Sequence, residues 1–251
     1  MKDEGFRLLQ TGELSGRMNM AVDEALLELN RRHLGRPTLR FYRWDMPTVS
    51  LGYAQAWTNE DTHRCRELGV AVVRRPSGGR AVLHEGEITY AVVGSGADGL
   101  GNGIMETYCL ITGALLQGLR SLGVAAEIGK SRGDGWAGAA CFQVGTAADL
   151  MWQGRKLAGS AQCRRGRSFL QHGSVLIDQD LQRLGTVLAT PLAIQDSAIT
   201  LQAITGRTLD WNEVKEALTE GFRSSLGVEL VDGDLTGEEL DLAQELATRP
   251  E

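Results

Sequence analysis

The sequence contains little cysteine and no long apolar run. Its four cysteines among 251 residues are Cys65, Cys109, Cys141 and Cys163, and no two are spaced as a C-x-x-C pair or as ligands of a zinc site. We therefore expect free thiols in a reducing compartment, the cytoplasm, and no bound metal. No apolar stretch approaches the ~20 residues of a bilayer-spanning helix. The charged residues at the start of the chain do not resemble a secretory leader. We expect neither a membrane protein nor a secreted one.

The sequence also lacks the excess of positive charge that is typical of nucleic-acid-binding proteins. Its formal net charge is −6, which argues against general binding to DNA or RNA. The charge is uneven, because residues 150–174 hold five basic side chains and no acidic one. This segment predicts a docking surface for an acidic partner protein or a phosphate-bearing ligand, or else an ordinary solvated loop. The basic strip consists of Arg155, Lys156, Arg164, Arg165 and Arg167.

The remaining composition favours a folded α/β protein. Apolar residues make up 42% of the chain, enough for a sizeable core, and we find no internal repeat and no low-complexity linker. Apolar periodicity predicts helices over 17–31 and 104–122, and a short polar helix is predicted over 59–68, where Gly69 ends it. It predicts strands over 39–44, 48–51, 70–75, 81–83, 87–93, 124–128, 147–153, 155–161 and 168–177.

Two late helices are indicated by the spacing of their first residues. Asp210 with Glu213, and Thr236 with Glu239, fit the capping box, in which each side chain satisfies a backbone amide near the other. We therefore expect one α/β (α+β) domain over 1–251, with a mixed β-sheet flanked by helices. A small helical tail is expected to occupy about residues 205–251.

A glycine-containing loop follows one of the predicted strands. Ser77, Gly78 and Gly79 come after the apolar strand 70–75 and lie between arginines, and His84 stands at the far end of the segment. Glycine lets another molecule lie against bare backbone. The loop therefore predicts a cradle for an extended, partly anionic ligand, or else an ordinary glycine-containing hairpin.

A second segment combines a cationic hairpin with small residues. Gly154 separates two short strands, and Lys156 lies just past that turn. Gly159, Ser160 and Ala161 follow, and their small side chains let a ligand approach the backbone. Lys156 is predicted either to point into a ligand cleft or to face solvent, which is the usual position of a hairpin lysine.

Several motifs, taken in order, resemble one known family. Their residues are 19–25, 39–44 with 50–53, 74–84, 154–162 and 171–174. The resemblance extends from about residue 6 to residue 178. It is to the superfamily of lipoyl/octanoyl transferases and lipoate–protein ligases, which shares the catalytic fold of biotin–protein ligase. It implies a biotin/lipoate protein ligase-like fold, with a mixed sheet flanked by helices.

Within this superfamily the chain is similar to the octanoyltransferases of the LipM type. In those enzymes a Cys-Phe pair precedes the Gly-Arg-Lys hairpin, as Cys141-Phe142 does here. The glycine loop also carries Arg80 where many ligases have a third glycine. The resemblance implies an acyltransferase that uses no ATP or other cofactor. Cys141 would take an octanoyl group from octanoyl-acyl carrier protein as a thioester and pass it to a lysine of a lipoyl-domain protein.

The resemblance also implies partners and site residues. The acceptor would be a small acidic protein such as the glycine cleavage H protein or a dehydrogenase E2 subunit. Lys156 would be the second catalytic residue, because its charge raises the thiolate fraction of Cys141 and its ammonium can hydrogen-bond the acyl carbonyl. The residues implied to bind the acyl substrate are Arg75, Ser77, Gly78, Gly79, His84, Gly159, Ser160, Ala161 and His172.

Alternatives stay open at this point. Cys163 is a rival nucleophile, and His84 and His172 are each either a base for the thiol or a structural histidine. The chain is alternatively the catalytic subunit of an ATP-dependent lipoate–protein ligase, an octanoyl amidotransferase between lipoyl domains, or a non-catalytic lipoate-responsive module. Packing within predicted helices explains Cys65 and Cys109.

Overall fold

The structure, a computed structural model, describes residues 5–129, 149–189 and 196–249. Its strands are β1 (Phe6–Leu14), β2 (Thr38–Trp44), β3 (Thr48–Leu51), β4 (Ala71–Arg74), β5 (Val82–His84), β6 (Glu87–Ser95), β7 (Glu127–Ile128), β8 (Leu150–Trp152), β9 (Arg155–Arg165), β10 (Ser168–Leu176) and β11 (Leu230–Gly233). Its helices are α1 (Gly16–Arg31), α2 (Asn59–Glu67), α3 (Ile104–Ser121), α4 (Leu181–Val187), α5 (Leu201–Thr205), α6 (Trp211–Leu226) and α7 (Gly237–Thr248). None of these described helices is both long and apolar enough to cross a membrane.

Two sheets organise the fold. The large sheet has eight described strands in the order β11-β1-β2-β6-β10-β9-β8-β7. Its strands β11, β1 and β2 are parallel, and the other neighbours are antiparallel. The small sheet has the order β4-β3-β5, with β3 parallel to β4 and antiparallel to β5. The predicted mixed sheet is confirmed.

Helices cover both faces of the large sheet. On one face α3 and α6 pack against each other and against side chains of β2, β6 and β10, and form the largest apolar core. On the other face lies α1, with α7 packed against it. The small sheet also lies on this second face, where it shares a core with α4 and the end of β10. The large sheet, the small sheet and α1 therefore surround a common space.

The buried face of α1 carries a polar stripe. The helix begins after Ser15, whose hydroxyl accepts a hydrogen bond from Met18 N at 3.3 Å. Asn19, Asp23 and Asn30 are buried among its apolar residues, and their spacing places them on one side of a helix. Buried polar groups require hydrogen-bond partners. This stripe therefore indicates a hydrogen-bonded site and not a plain apolar core.

Most predicted elements are present, with ends that differ by at most three residues. The strand predicted over 155–161 is longer, because β9 continues to Arg165. Four elements, β1, β11, α4 and α5, are absent from the sequence-based prediction. The segment predicted as a helical tail contains β11, which pairs in parallel with β1 at one end of the large sheet. Half of its sequence, Asp232-Gly233, consists of residue types that are depleted in strands, and this is why the pattern does not reveal it.

The two predicted capping boxes have different outcomes. Thr236 accepts from Glu239 N at 3.2 Å, and Glu239 accepts from Thr236 N at 2.8 Å, so the box that begins α7 is confirmed. The other prediction is wrong for its Asp210 half, because that carboxylate accepts from the amide two residues further on. The Glu213 carboxylate forms an ion pair with Arg207 at 2.5 Å.

Candidate active site

A cavity lies between the large sheet, the small sheet and α1. Strands β9 and β10 form its floor, and the loop after β4 forms part of its opposite wall. Seven of the predicted binding residues line it, namely Arg75, Gly79, His84, Gly159, Ser160, Ala161 and His172. The structure thus brings together two segments that are about 80 residues apart in the sequence, the glycine loop and the strands after the hairpin.

Strand alternation positions the floor of this cavity. His172 and Ser174 lie two residues apart on β10 and point to the same side of the sheet. Gly173 lies between them against β9, where an added Cβ would be 2.3 Å from Gly159 O. A side chain at Gly173 would therefore push the two floor strands apart.

The glycine loop is held by its own arginine. Arg75 is 5% exposed, and its guanidinium donates to Gly78 O at 2.9 Å, to Arg80 O at 2.7 Å and to Ser50 O at 2.7 Å. Gly79 has φ +94°, and an added Cβ there would be 2.9 Å from Arg75 Nη2. Glycine is therefore needed at this position for both its backbone conformation and its lack of a side chain.

His172 is the centre of a buried hydrogen-bonded chain. Its Nδ1 lies 3.0 Å from Asp23 Oδ2, and its Nε2 lies 2.6 Å from the Ser77 hydroxyl. Asp23 also accepts from Arg40 Nη1 at 2.5 Å and from the Tyr42 hydroxyl at 2.9 Å. Burial by itself would raise the pKa of Asp23, but the Arg40 charge and the His172 hydrogen bond hold that pKa below its usual value. Burial lowers the pKa of His172, so its imidazole is neutral at pH 7.

A second chain of the same kind has His84 at its centre. His84 Nδ1 lies 3.0 Å from Glu87 Oε1, and Nε2 lies 2.8 Å from the Ser50 hydroxyl. The His84 ring stacks on Trp44 with centroids 3.9 Å apart. Trp44 Nε1 donates to the Thr89 hydroxyl at 2.8 Å, and that hydroxyl donates to Glu87. Each ring nitrogen of both histidines thus has a partner within the protein.

Lys156 is buried and paired. Its Nζ lies 2.8 Å from Asp149 Oδ1, and both side chains are 2% exposed, so the prediction of a solvent-facing lysine is wrong. The pairing of β8 with β9 shifts register beside Lys156. The adjacent Leu157 and Ala158 both lie in the core under α3 and α6. This break in alternation puts Lys156 on the same face of β9 as Gly159, but Lys156 is not among the residues that line the cavity.

The predicted basic strip is not a continuous charged surface. Lys156 is buried, and Arg164 donates to the carbonyls of residues 102 and 103 and to the Thr107 hydroxyl at 2.7 Å. Arg165 forms an ion pair with Glu24 at 2.5 Å. The prediction is therefore wrong for Lys156. Arg155, Arg164 and Arg165 are half-buried and Arg167 is exposed, and docking of a partner on these arginines stays a prediction.

No cysteine of the described residues lines the cavity. Cys163 lies on β9, where burial raises the pKa of its thiol to about 11, so this thiol is protonated at neutral pH. Cys65 is buried in the core of the small sheet, as expected. Cys109 is exposed on α3, and the prediction that packing explains it is wrong. Cys141, the predicted nucleophile, lies outside the described residues.

The two remaining predicted binding residues, Ser77 and Gly78, do not line the cavity. Ser77 is fully buried and reaches the site through its hydrogen bond to His172. Gly78 is exposed, with nothing within 4 Å of an added Cβ. Within the described ranges, no cluster of three or more His, Cys, Asp or Glu side chains is arranged to bind a metal.

Sequence reasoning does not identify the rest of the wall. These lining residues come from α1, β2, β3, β6 and β10, and the carboxylates of Asp23 and Glu87 stand behind them. The only signal for the carboxylates was their position, since each interrupts an otherwise apolar helical or strand pattern. These missed lining residues are Met20, Tyr42, Trp44, Ser50, Thr89 and Ser174.

Comparison with known proteins identifies the family. The sequence model of one protein family, described as the lipoyl protein ligase A/B catalytic domain, matches residues 15–223. The chain belongs to this family. One relative, the octanoyltransferase LipM of Kyrpidia tusciae, is 40% identical over 261 residues, which cover 97% of this chain and 95% of the relative.

Solved structures of lipoyl protein ligases share the fold. A crystal structure of lipoate-protein ligase A bound with ATP has a TM-score of 0.83 and 29% identity, and the match covers 97% of this chain and 94% of that chain. A bi-partite lipoate protein ligase, studied with its E2 lipoyl domain from Thermoplasma acidophilum, has a TM-score of 0.77 and 26% identity, covering 97% and 92%. The predicted lipoate ligase-like fold is confirmed.

Proposed function

We propose that this member of the family is an octanoyltransferase of lipoate biosynthesis. The observation that carries the proposal is the lining of the cavity. Each polar side chain that faces it hydrogen-bonds to another group of the protein, as the Tyr42, Ser50 and His172 side chains do. The rest of the wall is apolar or glycine. A saturated acyl chain offers no hydrogen-bond partner, so a wall whose polar atoms are already paired suits it.

The names of the relatives support the same activity. Relatives that match 97–99% of this chain at 33–40% identity carry the name octanoyltransferase LipM. We extend the proposal to the whole chain, which acts as one catalytic domain in the cytoplasm.

Cys141 is the proposed nucleophile. Its thiolate attacks the carbonyl carbon of an octanoyl thioester on acyl carrier protein, and the carrier leaves as a thiolate that takes up a proton. The neutral ε-amino group of the acceptor lysine then attacks the acyl-Cys141 thioester. An amide forms, the amine proton passes to the departing cysteine sulfur, and the enzyme is regenerated. No nucleotide is consumed, because conversion of a thioester to an amide is favourable.

Lys156 is the proposed source of positive charge for this chemistry. Its ammonium group is held in a fixed place by Asp149, and a preorganised donor stabilises the charge that develops on the carbonyl oxygen. Replacement of Lys156 by Gln is expected to slow acyl transfer by about 10²–10³. Lys215→Gln, at a half-buried lysine of α6 that donates to Gln10 Oε1 at 3.1 Å, serves as the control and is expected to leave the rate unchanged.

The proposed partners are two proteins. The donor is octanoyl-acyl carrier protein, and the acceptor is a lipoyl-domain protein such as the glycine cleavage H protein or a dehydrogenase E2 subunit. The bi-partite ligase that shares this fold was studied with an E2 lipoyl domain, which supports an acceptor of this class.

The decisive experiment is incubation with octanoyl-acyl carrier protein in the absence of nucleotide, followed by intact mass measurement. We expect one octanoyl group on the protein, its transfer to a lipoyl domain added later, and no adduct on Cys141→Ser. The Cys163→Ser variant is the matched control and is expected to retain the adduct. Loss of the adduct from Cys163→Ser alone would contradict the assignment of Cys141.

An ATP-dependent ligase is the second candidate, because an ATP-bound ligase shares the fold. Free octanoate or lipoate, ATP and a lipoyl domain are mixed with the protein in a parallel reaction. Acylation of the lipoyl domain there, together with no reaction from octanoyl-acyl carrier protein, would favour the ligase and reject the transferase.

A further inference from the structure

Two carboxylate–imidazole–hydroxyl chains connect the layers that enclose the cavity. In one chain Asp23 on α1 and His172 on the large sheet reach Ser77 in the loop after β4. In the other, Glu87 on the large sheet is linked through His84 to Ser50 on the small sheet. The two hydrogen-bonded chains thus join the large sheet at one point to the loop after β4 and at another to the small sheet.

The hydrogen bonds from Asp23 through His172 to Ser77 require one neutral tautomer of the His172 imidazole. A carboxylate with a lowered pKa only accepts hydrogen bonds, so Asp23 requires the proton on His172 Nδ1. A neutral imidazole then has a lone pair on Nε2, which accepts from the Ser77 hydroxyl at 2.6 Å. Arg40 and Tyr42 donate to the same carboxylate and fix its orientation.

The serine at the end of this chain is anchored on both sides. The Ser77 hydroxyl hydrogen-bonds to His172 Nε2, and the Ser77 carbonyl accepts from Tyr53 N at 2.9 Å. Gly78 and Gly79 follow directly, and Gly79 lines the cavity. Movement of Ser77 would therefore move the glycine wall relative to the floor on β10.

We propose that Asp23 is a positioning residue for acyl binding, because it selects the His172 tautomer that holds Ser77 and, with it, the glycine wall of the cavity. Asp23 does not line the cavity and is fully buried, so it acts only through its neighbour. The inference rests on the proposed function, because it assigns the cavity to the octanoyl chain. Its effect falls on donor binding and not on the chemical step.

The test compares two single hydroxyl deletions on the same framework. Ser77→Ala removes the end of the chain, whereas Ser168→Ala removes a buried hydroxyl of β10 that donates to Asn30 Oδ1 on α1 at 2.6 Å and lies away from the cavity. The initial rate of protein acylation is measured against the concentration of octanoyl-acyl carrier protein. For Ser77→Ala we expect a half-saturating concentration raised roughly fivefold with an unchanged maximal rate. For Ser168→Ala both parameters are expected to remain those of the wild type.

A second measurement reads the tautomer directly. Nitrogen-15 chemical shifts of His172 are expected to show protonated Nδ1 and unprotonated Nε2 in the wild type and in Ser77→Ala. In Asp23→Asn the amide can donate, and the Nδ1-protonated tautomer is expected to be lost. Should Asp23→Asn not fold, the wild-type spectrum and the Ser77→Ala kinetics decide the question.

The outcomes separate this inference from the function on which it rests. A wild-type protein that gains no octanoyl group refutes the proposed function, and the inference falls with it. A wild-type protein that is acylated normally, with a half-saturating concentration that Ser77→Ala does not change, refutes the inference alone. So does a wild-type spectrum in which His172 is protonated on Nε2.

Discussion

At the scale of single residues, the candidate site is built from buried polar groups whose partners come from distant parts of the chain. Sequence motifs identified His84 and His172, because both lie in recognisable segments. They did not identify Glu87 and Asp23, which set the orientation of these imidazoles. Tertiary packing decides which group hydrogen-bonds to a buried side chain. A single sequence does not show which elements pack together, so these partners could not be predicted from it.

The buried state of His172 makes stability depend on pH. Burial lowers its pKa below the usual 6.5, whereas in the unfolded chain the group titrates near that value. Below pH 6.5 the unfolded state therefore binds more protons than the native state, and stability falls as the pH decreases. The stabilisation is present above about pH 6.5 and is lost as the pH falls toward the native pKa. Urea denaturation between pH 7.5 and 5.5 should show this decline, and a nuclear magnetic resonance midpoint for His172 at or above 6.5 would contradict it.

The glycine loop offers a matched pair of substitutions. Gly79→Ala places a side chain at φ +94° and 2.9 Å from Arg75 Nη2, and we expect a loss of about 1–3 kcal/mol in the free energy of unfolding. Gly78→Ala is the control, because its φ is not in the left-handed region and its Cβ meets open space. It should change stability by less than about 0.5 kcal/mol. Chemical denaturation of both variants measures the difference, and equal losses would show that the loop does not need glycine at residue 79.

At the scale of elements, the packing of α3 on α6 depends on close backbone contact. Gly118 of α3 would carry a Cβ only 2.7 Å from Ala217 O, and Gly221 of α6 would carry one 2.4 Å from Ala114 O. The two helices therefore approach where both lack side chains. This contact holds the core under the floor strands β9 and β10.

Two alanine substitutions on the same helix test this contact. Gly118→Ala is expected to destabilise the protein by about 1–3 kcal/mol, because the added methyl overpacks the interface. Gly113→Ala has nothing within 4 Å of the new Cβ and should stabilise the protein by about 0.5–1 kcal/mol through helix propensity. Thermal and urea unfolding of both variants provide the measurement. Destabilisation of the same size by Gly113→Ala would contradict this explanation, because it would show that the loss from Gly118→Ala does not need the close helix contact.

Local patterns predicted the elements whose signal lies within their own residues. The long apolar periodicity of α3 and the turn at Gly154 are of this kind. β1 and β11 were missed because β1 mixes apolar with polar residues and half of β11, Asp232-Gly233, consists of residue types that are depleted in strands. β11 is a strand because it pairs with β1, with Phe6 opposite Leu230, and β1 pairs on its other side with β2. That long-range pairing is invisible to a local pattern.

At the scale of the whole molecule, the C-terminal segment closes the fold against its first strand. Arg7 of β1 donates to both carboxylate oxygens of Glu239 on α7, at 2.7 and 2.6 Å, and to Asp234 O at 3.0 Å. Arg7 and Glu239 are 4% and 3% exposed. The Glu239 carboxylate also completes the capping box with Thr236. The buried ion pair between Arg7 and Glu239 thus links the first strand to the last helix, and the same carboxylate is part of the cap at the start of that helix.

Glu239→Gln is expected to lower the free energy of unfolding by about 3–5 kcal/mol, because it leaves the buried Arg7 without a charged partner. Glu238→Gln, on the exposed side of the same turn, is the matched control and should cost less than about 1 kcal/mol. Burial by itself would raise the pKa of Glu239, but the hydrogen bonds from Arg7 and Thr236 hold it below the usual 4.5. The stabilisation is therefore present above about pH 4.5 and is lost as the pH falls through the native pKa. Urea denaturation at pH 7 and pH 4 should show the wild type and Glu239→Gln converging in acid, and a gap that stays constant would rule out the ion pair as its cause.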